Sequence, residues 1–306
     1  MAVDITVASR GDVIFKLGEE GETVTKVLIS SLVMGLSSPV FDAMLNGNFA
    51  EGQARLPDQP REVALPEDDT QAMLLVFRIT HMQTSDLPER LSIDAFADFA
   101  LVCDKYQCTG AVQAWSKVWI AKIFESAPAA DFEKLVLAIY MLDMPQEFYR
   151  ATISLVRDRV ADIKVIEHDD AVVAIFEILQ ASKRMNEGLV YASLDTVTKE
   201  LGYCGPSKEW FGNIMVSLRD ADIWPIRAQS VSRMKDGIAR MSKISTNRCG
   251  ALGCKCQLVK DIKMSLTTEI GSIYDSVQGL CLDCFKRQHL GIPGKCRVGH
   301  QGMKIE

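Results

Sequence analysis

The spacing of apolar and polar positions changes character along this chain. VIFKL (13–17) alternates and is rich in β-formers, which predicts a strand. VTKVLI (24–29) predicts a second, with GEEGET (18–23) as the turn between them. REVALP (61–66) predicts a third, stopped by Pro66. Two short helices are expected in between. Ser31 is placed to cap Leu32–Leu36. Ser38 caps the next helix, with Pro39 at its first position, where a missing N–H costs nothing; Val40, Phe41, Met44 and Leu45 share one face. NGNFAEGQ (46–53) reads as a loop, and Asp69 or Thr70 caps a helix through His81. From residue 92 the period is helical throughout. Ser92 opens a helix through Tyr106 and Thr109 another through Phe124, with Trp115, Val118 and Trp119 stacked on one face. Residues 130–243 hold about five more amphipathic segments, punctuated by Pro145, Gly188, Gly202, Gly205–Pro206 and Pro225. The pattern therefore predicts an α+β N-terminal domain followed by a mostly α-helical region.

Composition narrows the setting. No apolar run approaches the ~20 residues of a membrane helix; the closest, LVLAIYMLDM (135–144), is short and carries Asp143. The N-terminal MAVDITVASRGD has neither a basic nor an apolar leader region, so the expected compartment is cytoplasm or nucleus, with no membrane partner. Thiols stay reduced there, and the 9 cysteines read as metal ligands or small buried hydrophobes rather than disulfides.

Six of those cysteines lie beyond residue 241. Cys249, Cys254 and Cys256 sit in CGALGCKC. Cys281 and Cys284 form a C-x2-C pair, and Cys296 with His300 a C-x3-H pair. Close pairs on turns are how a chain delivers tetrahedral ligands to Zn²⁺, and Gly250, Gly253, Gly279 and Gly294 supply the turns. Spacing alone makes one site of Cys281, Cys284, Cys296 and His300. A mixed site, one pair from 249–256 with Cys281 and Cys284, satisfies the spacing equally well. Two full sites need eight ligands, with His289 as the eighth, although His289 reads better as an exposed helix end. The thiolate-rich donor set predicts a closed, structural Zn²⁺ rather than a catalytic one, which keeps an open position. Cys103, Cys108 and Cys204 read as structural, and His81 and His168 have no visible partners.

Residues 241–306 carry 10 Lys and Arg against 5 Asp and Glu, whereas residues 1–240 carry 24 against 35. A basic tail suggests nucleic acid. Ionised thiolates neutralised by one or two Zn²⁺ would leave only a weakly positive field, and no tail helix carries a run of Lys or Arg.

The N-terminal order of elements coincides with specific residues: GDVIFKL, VLISSLVMGLSSPVFDAMLNGNFAEG (27–52), LPEDD (65–69) and FALVCDKYQCTGAVQAWSKVW (99–119). Together they resemble the BTB/POZ domain, in the form common among fungal BTB proteins, over roughly residues 8–125. The GLCLDC segment and the late Cys-x3-His resemble the tails of those proteins. The resemblance implies a small sheet capped by helical hairpins, acting without catalysis by self-association or recruitment of other proteins, in some families cullin scaffolds of ubiquitin ligases. In ligase adaptors an apolar residue, any residue and Glu follow the SPVF-type helix; Phe49 and Glu51 stand at that place. Where many animal members carry a His-containing motif after the second strand, this chain has Ser30–Ser31, and only about ten residues precede Gly11, too few for a swapped N-terminal strand and helix.

No phosphate loop, H-E-x-x-H, G-x-S-x-G or kinase set occurs. The expectation is a non-enzymatic interaction scaffold of three parts: a BTB/POZ domain at 8–125, a helical region at 126–240 and a zinc-binding tail at 241–306. A cullin-ligase substrate adaptor is the alternative, homodimerisation a further expectation, and nucleic-acid binding ranks last.

Overall fold

A computed structural model describes residues 3–18, 24–47, 59–126, 132–166, 168–200, 204–225, 229–242, 249–254 and 261–300. Its first unit is built on one strand, β2 (Val13–Leu17). The strand's Val13, Ile14, Phe15 and Leu17 are all buried, so the sheet is covered on both faces where the alternating pattern alone predicts cover on one. β2 pairs antiparallel with β3 (Thr25–Ile29) and parallel with β4 (Arg61–Leu65), placing Phe15 opposite both Val27 and Val63. The short β1 (Ile5–Thr6) joins the other edge of β3 in parallel, giving the order β1-β3-β2-β4.

Helices α1 (Ser31–Ser37), α2 (Pro39–Asn46), α3 (Thr70–Thr80), α4 (Ile93–Lys105), α5 (Thr109–Ser126) and α6 (Phe132–Met141) complete this unit, Met1–Glu147. Their starts follow the expected caps. Ser38, Asp69 and Ser92 side chains accept from the N–H groups of Phe41, Ala72 and Ala95. Phe15 stacks on Phe77 with ring centroids 5.3 Å apart, and Phe41 stacks on Tyr106 at 4.2 Å. The buried Ser38 hydroxyl also donates to the Tyr106 carbonyl, tying the start of α2 to the end of α4. The Tyr106 hydroxyl donates to the buried Asp68 carboxylate, which Lys105 also holds at 2.6 Å. Burial, reinforced by that carboxylate, pushes the Tyr106 hydroxyl far above its ordinary range.

Three local expectations are corrected. Ser30, not Ser31, precedes α1, and its side chain makes no cap bond. The Ser31 N–H and hydroxyl instead donate to the two Asp12 oxygens at 2.7 and 2.6 Å. His81 is not without partners: the Ser30 N–H donates to its Nε2 at 3.1 Å, so the proton sits on Nδ1, 2.8 Å from the Phe77 carbonyl. On α5 the buried face is Val112, Ser116, Trp119, Ile120 and Ile123. Val118 is 42% exposed and Trp115 half-buried, because Trp119 turns inward to donate to the Pro88 carbonyl and meet Phe99 edge-on.

The second unit, Phe148–Glu306, begins within α7 (Pro145–Asp158). It continues through α8 (Asp170–Glu200), α9 (Gly205–Asp220), α10 (Val231–Arg240), α11 (Ile262–Ser276) and α12 (Leu282–His289). Ile262, Leu266 and Ile270 of α11 share one core with Val190 and Leu194 of α8, Trp210 and Ile214 of α9 and Met234 and Ile238 of α10. The tail after residue 241 therefore contributes helix to the core of the helical region rather than standing apart. Among the described residues no helix is long and apolar enough to cross a membrane.

His81 makes the stability of the first unit sensitive to pH. Burial lowers its pKa below the ordinary 6.5, so the unfolded chain binds the proton more readily than the folded one. The ring's contribution is full above about pH 6.5 and is lost as pH falls from there through its lowered folded value. Asp12, pushed up by burial but held below 3.8 overall by its Ser31 bonds, acts only at more acid pH. Thermal melts of wild type and His81→Gln from pH 7.5 to 5 check this. Wild type should lose stability relative to the variant as the pH falls; parallel curves would refute it.

Candidate metal centre

The chain reaches α12 through a backbone contact that only glycine permits. A Cβ on Gly279 would meet the Tyr149 carbonyl at 2.2 Å. One residue on, the Leu280 N–H donates to Thr152 Oγ1 at 3.0 Å, anchoring the entry to the buried side of α7. Cys281 then occupies the extended N-cap position of α12, and Cys284 lies in its first turn. The C-x2-C pair is thus a knuckle made by a loop turning into a helix, with Leu282 and Phe285 buried beneath it.

The chain returns after α12 and brings two more donors. Cys296 Sγ lies 3.5 Å from Cys281 Sγ, and His300 Nε2 lies 3.5 Å from Cys284 Sγ. One ligand atom from each of the four residues falls within 4.8 Å of every other, close enough to hold a metal ion. Cys281 is buried and the other three are half-buried. The His300 ring stacks on Tyr149, centroids 5.9 Å apart and planes 6° from parallel.

A second layer fixes this meeting. Asp283, between the two knuckle cysteines, is buried and binds Arg297, which follows Cys296. The Arg297 backbone N–H donates to Oδ2 at 2.6 Å, and its Nε and Nη2 donate to Oδ1 at 3.0 and 2.6 Å. This fork ties residues adjacent to ligands on both chain segments. Arg287 Nη2 donates to Cys284 Sγ at 3.3 Å, placing positive charge against a sulfur. Around Cys296 burial pushes the thiol up, but the Val298 and Gly299 N–H groups, Cys281 and His300 outweigh it and bring the group down to about 7. At Cys281 burial, together with the Cys296 and Cys284 sulfurs, pushes the thiol up against an opposing backbone N–H from Cys284, so of this pair Cys296 ionises first.

Of the two arrangements that spacing allows, the structure forms the one with Cys281, Cys284, Cys296 and His300 together. Cys249 and Cys254 do not join Cys281 and Cys284. They meet Cys204, the three sulfurs again lying within 4.8 Å of one another. Sequence reading missed Cys204, since 44 residues separate it from Cys249 and no pair spacing signals it. It also missed Asp283 and Arg297, whose one sign is position: each neighbours a ligand. His289 is the exposed last residue of α12, stacked on Phe285. Cys103 and Cys108, read as structural from the sequence, are both buried. Cys256, Phe49 and Glu51 lie outside the described residues. No protein-family model matches the chain, and no curated protein matches it.

If the Asp283–Arg297 fork orients the ligands, Asp283→Asn should weaken metal binding at this site by roughly 10–100-fold, the usual effect of losing an outer partner. Competition of the protein with a chromophoric chelator for Zn²⁺ measures this; an unchanged affinity would show that the fork has no such role.

Proposed function

We propose that the chain is a non-catalytic interaction scaffold: a BTB/POZ domain that contacts other proteins, followed by a helical region whose end is stapled by a structural Zn²⁺. One observation carries the zinc reading. Residues 291–300 form neither helix nor strand and are largely exposed, so hydrophobic packing cannot hold them. What fixes them is the convergence of Cys296 and His300 on the knuckle and the Arg297 fork. Bond lengths of about 2.3 Å to sulfur and about 2.0 Å to nitrogen place tetrahedral donors roughly 3.8 Å (sulfur to sulfur) and 3.5 Å (sulfur to nitrogen) apart. The separations of 3.5 Å and 3.5 Å are close to that. Four protein donors, three of them thiols, leave no open position for substrate, which supports a structural role over catalysis.

The BTB/POZ reading rests on the sequence resemblance, and a four-stranded sheet with paired short helices between its third and fourth strands in chain order is compatible with it. The partners it suggests are other proteins. A cullin scaffold engaged through Phe49 and Glu51 is the specific alternative, and a homodimer a further one. Nucleic-acid binding stays last, because α12 presents only Lys286, Arg287 and His289 at its end. Cytoplasm or nucleus is the proposed location.

The following measurements test these readings. Elemental analysis of the purified full chain should find zinc, and removing it with a strong chelator should collapse hydrogen-exchange protection in residues 280–300 while leaving β2 protected. Zinc-free protein with undiminished protection there would sink the staple. For the adaptor alternative, Phe49→Ala should abolish co-purification with a cullin scaffold while leaving the melting temperature unchanged. Cullin-free pull-downs, or binding untouched by the substitution, would eliminate it, and light scattering on the same samples reports the dimer.

A further inference from the structure

The second cysteine group is built differently from the first and lies apart from it in sequence and in ligands. Cys204 is the extended residue immediately before α9, with Pro206 in that helix's first turn. Its sulfur caps no backbone N–H; it lies 3.0 Å from Ser207 Oγ. Cys249 and Cys254 flank a tight turn closed by the Cys254 N–H donating to the Ala251 carbonyl at 3.3 Å. Gly253 takes a φ of +77° there, a conformation that suits glycine. The turn's one large apolar residue, Leu252, is 99% exposed, so the turn is not held in place by burying it. The Cys204, Cys249 and Cys254 sulfurs nevertheless converge within 4.8 Å of one another, half-buried at the edge of the core around Trp210.

We propose that Cys204, Cys249 and Cys254 form a second, separate zinc site that ties the start of α9 to the 249–254 turn. Three sulfur donors suit a soft, closed-shell divalent ion. On binding, each thiol releases its proton to solvent and the three thiolates take the ion. The start of α9 favours that negative charge, since the unpaired N–H groups of a helix's first turn carry partial positive charge. These residues supply three of the four positions of a tetrahedral ion. The inference does not rest on the BTB/POZ reading or on the first site.

The test is the zinc-to-chain ratio of the full-length protein by native mass spectrometry. Wild type should carry two zinc ions, Cys204→Ser one, and Cys284→Ser one. Serine is a good N-cap, so the Cys204 variant keeps the start of α9. A wild type with a single zinc that Cys284→Ser removes and Cys204→Ser does not would overturn the second site and leave the first standing. Two zinc ions retained in Cys204→Ser would also overturn it. A second measurement needs no variant: alkylation of the native wild type, mapped by peptide, with Zn²⁺ and after chelation. Zinc should slow modification of Cys204, Cys249 and Cys254 together, whereas equal labelling of Cys204 with and without zinc would overturn the proposal.

Discussion

Sulfur atoms that converge as thiolates repel one another, and only a cation between them makes the arrangement favourable. At the C-terminal end of this protein three sulfurs and an imidazole nitrogen converge closely enough to hold a metal ion. Among the described residues beyond α12, 290–300, there is no regular structure and little burial, yet Cys296 and His300 meet Cys281 and Cys284. Around Cys284 and Cys296 the surroundings place cationic or N–H donors against the sulfurs. Arg287 donates to Cys284, backbone N–H groups lower the Cys296 thiol, and Arg297 neutralises Asp283 so that this carboxylate adds no net charge beside the site.

The knuckle in turn depends on the helices. Gly279 lets the backbone press against the Tyr149 carbonyl, Thr152 accepts the Leu280 N–H, and Leu282 and Phe285 lock the first turn of α12 from below. A metal there would fasten an end already half-organised by packing, and would contribute most to the last ten described residues. The apolar stripe of α11 follows the same logic, since it completes a core begun by α8, α9 and α10.

In the first unit, polar groups do the positioning, from the exposed Asp12 and half-buried His81 to the buried Ser38 and Asp68. Asp12 and His81 hold the start of α1, Ser38 joins α2 to the end of α4, and Asp68 takes the Tyr106 hydroxyl. Each bond joins residues far apart in sequence, so each fixes how one element lies on another. For the buried Ser38 and Asp68, losing a partner would leave a buried polar group short of a bond, which makes these two specific to one arrangement.

The sequence by itself determined most of the elements, though not β1, and the four residues of the main candidate site. Period and caps placed β2, β3, β4 and the helices opened by Ser38, Asp69 and Ser92, because a cap is a bond between residues two or three apart. The spacing of Cys281, Cys284, Cys296 and His300 was legible for the same reason: a knuckle is local. What the tertiary structure decided were relations across long separations. It chose which face of α5 turned inward: Trp119 meets Phe99 and the Pro88 carbonyl, while Val118 is left exposed. It gave His81 its partner from Ser30, and it brought Cys204 to Cys249 and Cys254. Local spacing carries no information about such meetings; it is the packing of α8, α9, α10 and α11 around one core that brings Cys204 within reach of Cys249 and Cys254.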